Sequence, residues 1–139
     1  MIINLQNLAY AVVQVAHNFG AASVLGGSAA ALWLCAKDHR LQYRLAWLVA
    51  VAWAVQALSG ASFGVISYYN YGKFPDLKGI AVAALVVKVL CAMVGFISAV
   101  NYLRKDAELD QLKRHKIWQA SFALGATAFS AAAFLRWFS

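Results

Sequence analysis

Apolar residues run almost unbroken through four stretches of this chain: Leu5–Ala36, Leu45–Tyr69, Ile80–Leu103 and Ile117–Phe138. Each is long enough to cross about 30 Å of hydrocarbon as a helix rising about 1.5 Å per residue. Only short polar linkers remain outside them. A chain of this pattern satisfies its backbone hydrogen bonds within helices and takes the bilayer as its solvent. The pattern predicts an all-α protein: one transmembrane four-helix domain over residues 1–139.

Composition narrows this further. Hydrophobic residues make up 63% of the chain and charged residues 12%, against about 25% charged in a soluble domain. That supply excludes a water-facing surface, and it excludes disorder. The net charge of +7 would point to nucleic acid in a soluble protein. Here the bases sit in short linkers, so the expected partners are the lipid bilayer and other membrane subunits or a second copy, not nucleic acid. The chain opens Met1-Ile-Ile-Asn-Leu without the basic start of a cleaved signal peptide, so the first run is expected to be retained.

The linkers also predict orientation. Lys37, Arg40 and Arg44 lie between runs one and two, and Arg104, Lys105, Lys113, Arg114 and Lys116 between runs three and four. The other side holds Lys73, Lys78 and Arg136. Basic residues stay on the cytoplasmic side, so two short basic linkers are expected there, with both termini outside (N-out/C-out). A bacterial-type inner membrane is the expected location, with a multi-pass topology. Aromatic residues agree: Trp33, Tyr43, Trp47, Tyr102 and Trp118 fall at the cytoplasmic ends, and Tyr68, Tyr69, Tyr71 and Trp137 at the outer ends, as interfacial belts require. The linker Arg104–Lys116 could extend helix three or four by a turn or two.

Small residues offer seams for close helix approach. Gly60 and Gly64 form a GxxxG pair in run two; Gly20 and Gly27 serve run one, Gly95 run three and Gly125 run four. The GxxxG contact falls either inside the bundle or against another subunit. Cys35 and Cys91 lack a CxxC partner and read as small hydrophobes.

The candidate chemistry lies in a few polar residues within the apolar runs. Counting outward from the basic ends at about 1.5 Å per residue places His17 at roughly 28 Å, Lys88 at roughly 22 Å and Gln56 at roughly 16 Å. Gln14 and Asn18 fall near the outer boundary, and the inner half reads as almost entirely Ala, Val, Leu and Trp. Lys88 is the most expensive of these groups to bury, and it shares a face with Ala81, Ala84, Ala92 and Gly95. Snorkelling to the outer headgroups and holding a charge near Gln56, Gln14 or His17 are the two readings of it. His17 is a candidate ligand for haem or a metal, a proton relay, or a plain hydrogen-bonding group. A bis-histidine haem lacks its second intramembrane histidine, because His39 and His115 lie at the basic ends. All five acids lie in linkers, and no Walker loop, HExxH or GxSxG occurs. The chain therefore reads as having no catalytic activity of its own.

The segment Ala16-His-Asn-Phe-Gly-Ala-Ala-Ser-Val-Leu-Gly-Gly, followed by Val55-Gln-Ala-Leu-Ser-Gly and by Val87-Lys-Val-Leu leading to Asn101, resembles small bacterial membrane proteins of the CopD copper-resistance type, and more distantly the HemJ haem-biosynthesis type. The resemblance implies a copper or haem ligand at His17. This chain departs from that pattern in lacking further intramembrane histidines and a methionine-rich copper path.

Three functions follow as expectations. The foremost is a small membrane subunit or anchor of a larger redox or respiratory complex, working by helix packing. The next is a haem b or quinone site built from His17, Gln56, Lys88 and Gln14. The last is a CopD-like carrier of copper or a small solute.

Overall fold

A computed structural model describes residues 4–138. The first three residues, read as leading straight into the first helix, lie outside that range. Four long helices account for almost all of it: α1 (Leu5–Ala29, continued by a π turn over Ala30–Leu34), α2 (His39–Tyr71), α3 (Ile80–Arg104) and α4 (Gln111–Phe138). Each is long and apolar enough to cross a membrane.

The helix ends follow from local chemistry. Asn4 opens α1 by accepting the Gln6 N–H, and Asp38 opens α2 by accepting the Leu41 N–H at 2.9 Å. Asp110 does the same for α4, accepting from Lys113 N–H at 2.8 Å. These side-chain oxygens satisfy amides that have no partner within their helix. Gly72 ends α2 with a left-handed backbone (φ 67°), a conformation that side chains with a Cβ avoid.

Capping also explains why two helices start earlier than the apolar pattern does. α2 begins at His39 rather than Leu45, and α4 at Gln111 rather than Ile117. Lys, Arg, Gln and His continue a helix well beyond the apolar stretch, because length of apolar run and length of helix answer to different energies.

The helices run up and down in a closed ring. α1 packs on α2, α2 on α3, α3 on α4, and α4 returns to α1. One end of the bundle carries the turns at 35–38 and 105–110 and is called here the basic end. The other carries the 72–79 loop, the start of α1 and the end of α4.

The core is built from small residues around two indoles: Val24, Ala31, Val49, Ala52 and Ala99 pack with Trp53 and Trp118. Gly95 makes the slot for Trp53, since a Cβ there would run into the indole ring. Gly20, Gly27 and Gly125 are close-approach points too, with Gln56, Val49 and Val24 where a Cβ would point. Gly60 is different: it is exposed, with nothing within 4 Å of the Cβ position, and Gly64 meets only Phe74 of the loop at ordinary distance. Among the described residues, no atom of another helix lies within 4 Å of either Cβ position of the GxxxG pair.

The surface is apolar nearly all round. Phe19 is 72% exposed, Leu34 84%, Tyr69 87% and Trp137 83%. Most of the expected belt aromatics are indeed on the surface at the two ends. Tyr102 and Trp118 are the exceptions, each 2% exposed. They turn inward and pack on one another, ring centroids 5.3 Å apart, because Tyr102 has polar partners inside the bundle.

Candidate functional site

Three of the four polar residues read from the sequence meet in one place. His17 on α1, Gln56 on α2 and Lys88 on α3 converge, joined by Ser59 on α2. The helix boundaries explain their shared level. Counted from the true helix ends at Leu34, His39 and Arg104, all three lie about 24–26 Å from the basic end. The shallower depth expected for Gln56 came from starting α2 at Leu45.

The hydrogen bonds order themselves. Ser59 donates its hydroxyl proton to the Val55 carbonyl one turn earlier. Its oxygen therefore accepts from His17 Nδ1–H, at 2.7 Å. That assigns the proton of a neutral His17 to Nδ1 and leaves the Nε2 lone pair facing Lys88 Nζ at 3.5 Å. Gln56 Nε2 donates to the His17 backbone carbonyl. Gly20 leaves room for it: a Cβ at that position would stand 2.7 Å from Gln56 Nε2. Phe63 closes one side with its ring edge-on to the imidazole, centroids 5.8 Å apart, and Tyr10 stacks on Phe63.

The site is half-buried at His17, Gln56 and Lys88. No carboxylate lies in any of the four apolar runs, so the site combines cationic and donor groups in apolar walls. Both nitrogens of His17 are engaged. Nε2, the atom that haem iron or copper would take in this tautomer, faces Lys88. Among the described residues no three His, Cys, Asp or Glu side chains come together as a metal site. Gln14 is not part of the cluster; its amide donates to Asn18 Oδ1 at 2.7 Å on the exposed side of α1.

A second polar network went unread in the sequence, and it is the more buried of the two. Arg114 on α4 is 6% exposed. Its guanidinium donates to the Tyr102 hydroxyl at 2.8 Å, to the Leu109 carbonyl at 3.1 Å, and to both the carboxylate and the backbone carbonyl of Asp106. Tyr102 donates in turn to Gln42 Oε1 at 3.1 Å. Gln42 Nε2 reaches the Ala31 carbonyl at 3.2 Å, where the π turn begins to loosen the helix ladder. One chain of hydrogen bonds thus links all four helices at the basic end. The expectation that polarity gathers in the opposite half is corrected by it, and Arg114 is a buried ion-pair partner rather than a solvated linker base. The signal was available in the spacing. Gln42 stands four residues before buried Ala46, and Arg114 four before buried Trp118, so both lie on inward faces.

Between the two networks, Ser28 and Ser121 share a buried hydrogen bond of 2.8 Å across α1 and α4. A cleft of about 390 Å³ opens beside the π turn, lined by Leu32, Gln42, Leu112, His115 and Trp118 among others.

Comparison with protein families, curated proteins and solved structures finds no match for this chain.

Proposed function

We propose that this protein is a small multi-pass subunit or anchor of a larger membrane assembly, of redox or respiratory type, in a bacterial-type inner membrane. The reading places both termini outside and the two basic turns in the cytoplasm. It rests on one observation above all: the Gly60 face of α2. The chain fills its own seams at Gly20, Gly27, Gly95 and Gly125, yet leaves Gly60 open with no atom near its Cβ position. Small residues let a second helix approach closely in lipid, where packing and not hydrophobicity drives association. Affinity purification from native membranes under mild detergent tests this. A stoichiometric partner is expected with the unaltered chain, and Gly60→Leu is expected to lose that partner while keeping its own helicity and unfolding temperature. A chain that purifies alone as a stable monomer overturns the reading.

The His17 site supports a second reading, a quinone site in the same assembly. A quinone offers carbonyl oxygens to donors in an apolar slot, and Lys88 and Gln56 supply such donors beside Phe63 and Tyr10. The haem alternative fits less well, because His17 Nε2 faces an ammonium group. Titration of the purified protein with a short-chain quinone, followed by tryptophan or ligand fluorescence, is expected to show saturable binding. Lys88→Ala is expected to weaken it about tenfold, the value of one charge-assisted hydrogen bond. A Soret band in the purified protein would replace this reading with the haem one.

A further inference from the structure

A groove of about 390 Å³ runs along α3 where the start of α4 lies against it. Val94, Ile97 and Ile117 line its apolar part, and Ser98, Asn101 and Lys105 its polar part. The order along α3 carries the argument. Val94, Ile97, Ser98 and Asn101 follow one face of α3 at three- and four-residue steps, and Lys105, which caps the helix with its N–H on the Asn101 carbonyl, continues that line. Over about 16 Å of that face the lining passes from hydrocarbon to hydroxyl to amide to ammonium. That is the polarity profile of a phospholipid read from acyl chain to phosphate.

The charge selects which phospholipid. The nearest acid, Asp106, already holds the Arg114 guanidinium, and Asp110 pairs with Lys113 at 3.5 Å. Glu108 remains in the same turn, in a linker that also holds Arg104, Lys113 and Lys116. The Lys105 ammonium is therefore offered to a phosphate. A zwitterionic headgroup would bring its own cation up to it, and an anionic headgroup would not. The polar network beneath fixes the walls. Tyr102, which also lines the groove, is held by Gln42 and Arg114, and the Leu109 carbonyl by Arg114.

We propose that this groove seats one anionic phospholipid of the cytoplasm-facing leaflet, its phosphate on Lys105 and Asn101 and an acyl chain along Val94, Ile97 and Ile117. The proposal rests on the membrane reading and orientation given above. It does not depend on the partner assembly or on the quinone site.

Native mass spectrometry of the full chain, released from nanodiscs that mix phosphatidylglycerol and phosphatidylcholine of identical acyl chains, tests it. One retained phosphatidylglycerol is expected, preferred over phosphatidylcholine by about fivefold, the effect of one interfacial lysine. Lys105→Gln and Asn101→Leu are each expected to reduce that preference, while Lys37→Gln on the other basic turn leaves it unchanged. Equal retention of the two lipids overturns the proposal. So does an equal loss with Lys37→Gln, which would mean that general leaflet electrostatics alone are at work. Far-ultraviolet circular dichroism of each variant verifies folding, and the conservative Lys105→Arg is expected to restore the preference. The underlying membrane reading fails separately, if alkaline carbonate washing strips the chain from membranes.

Discussion

Gly95 has no side chain because the indole of Trp53 occupies the place where one would begin. Trp53 is 2% exposed, enclosed on all sides, and cannot retreat into solvent or lipid. Gly95→Ala is therefore expected to overpack the core and destabilise the bundle by about 1–3 kcal/mol. Thermal or denaturant unfolding in detergent measures it. Gly26→Ala makes the control, since a Cβ there meets nothing within 4 Å, and its midpoint is expected to stay the same or rise slightly through better helix propensity. The glycines look alike in the sequence. Their difference lies in what the neighbouring helix brings opposite them.

At the scale of elements, the basic-end network ties the two hairpins together. α1–α2 contributes Ala31 and Gln42, and α3–α4 contributes Tyr102, Asp106 and Arg114. Removing one partner of a buried ion pair typically costs about 3–5 kcal/mol. The Asp106 side chain is 32% exposed and the Arg114 side chain 7%, so water recovers part of that at Asp106. Arg114→Ala is expected to cost less than that full range yet more than Tyr102→Phe, which loses one bond from the charged guanidinium and one neutral bond to Gln42. The Arg114→Ala/Asp106→Ala double-mutant cycle should return a favourable coupling between them. Additive single losses would show that the guanidinium–carboxylate contact itself contributes nothing net. Element length also belongs here. The apolar runs were legible as helices because only a helix satisfies such a backbone in hydrocarbon. The start at His39 was not, because Asp38 ends the turn and polar residues then carry the helix forward; the start at Gln111 falls within the turn or two by which the Arg104–Lys116 linker was expected to extend a helix.

For the whole molecule, the proposed orientation rests on eight bases on one side and three on the other. Single cysteines placed at Lys37→Cys and Lys73→Cys, in a chain lacking Cys35 and Cys91, should report it. In intact cells an impermeant thiol reagent is expected to label position 73 and spare position 37. The reverse labelling would invert the proposed topology, and with it the leaflet proposed for the lipid groove. Arg114 stands on the basic side with its charge already met by Asp106, so the remaining linker bases carry most of the bias.

By itself the sequence determined that this protein is all-helical, that it has four helices able to cross a membrane, and which few polar residues stand out within them. Those properties depend on composition along one dimension and are read segment by segment. Tertiary structure alone decided which polar groups meet. It brought His17, Gln56 and Lys88 together and left Gln14 with Asn18 on the surface. It turned Tyr102 and Trp118 inward and gave Arg114 four hydrogen bonds. The physical reason is rotational: a change of a few residues in helix start moves a side chain to another depth and another face. Only the packing of Trp53 into Gly95, and of its counterparts along the other seams, sets that register.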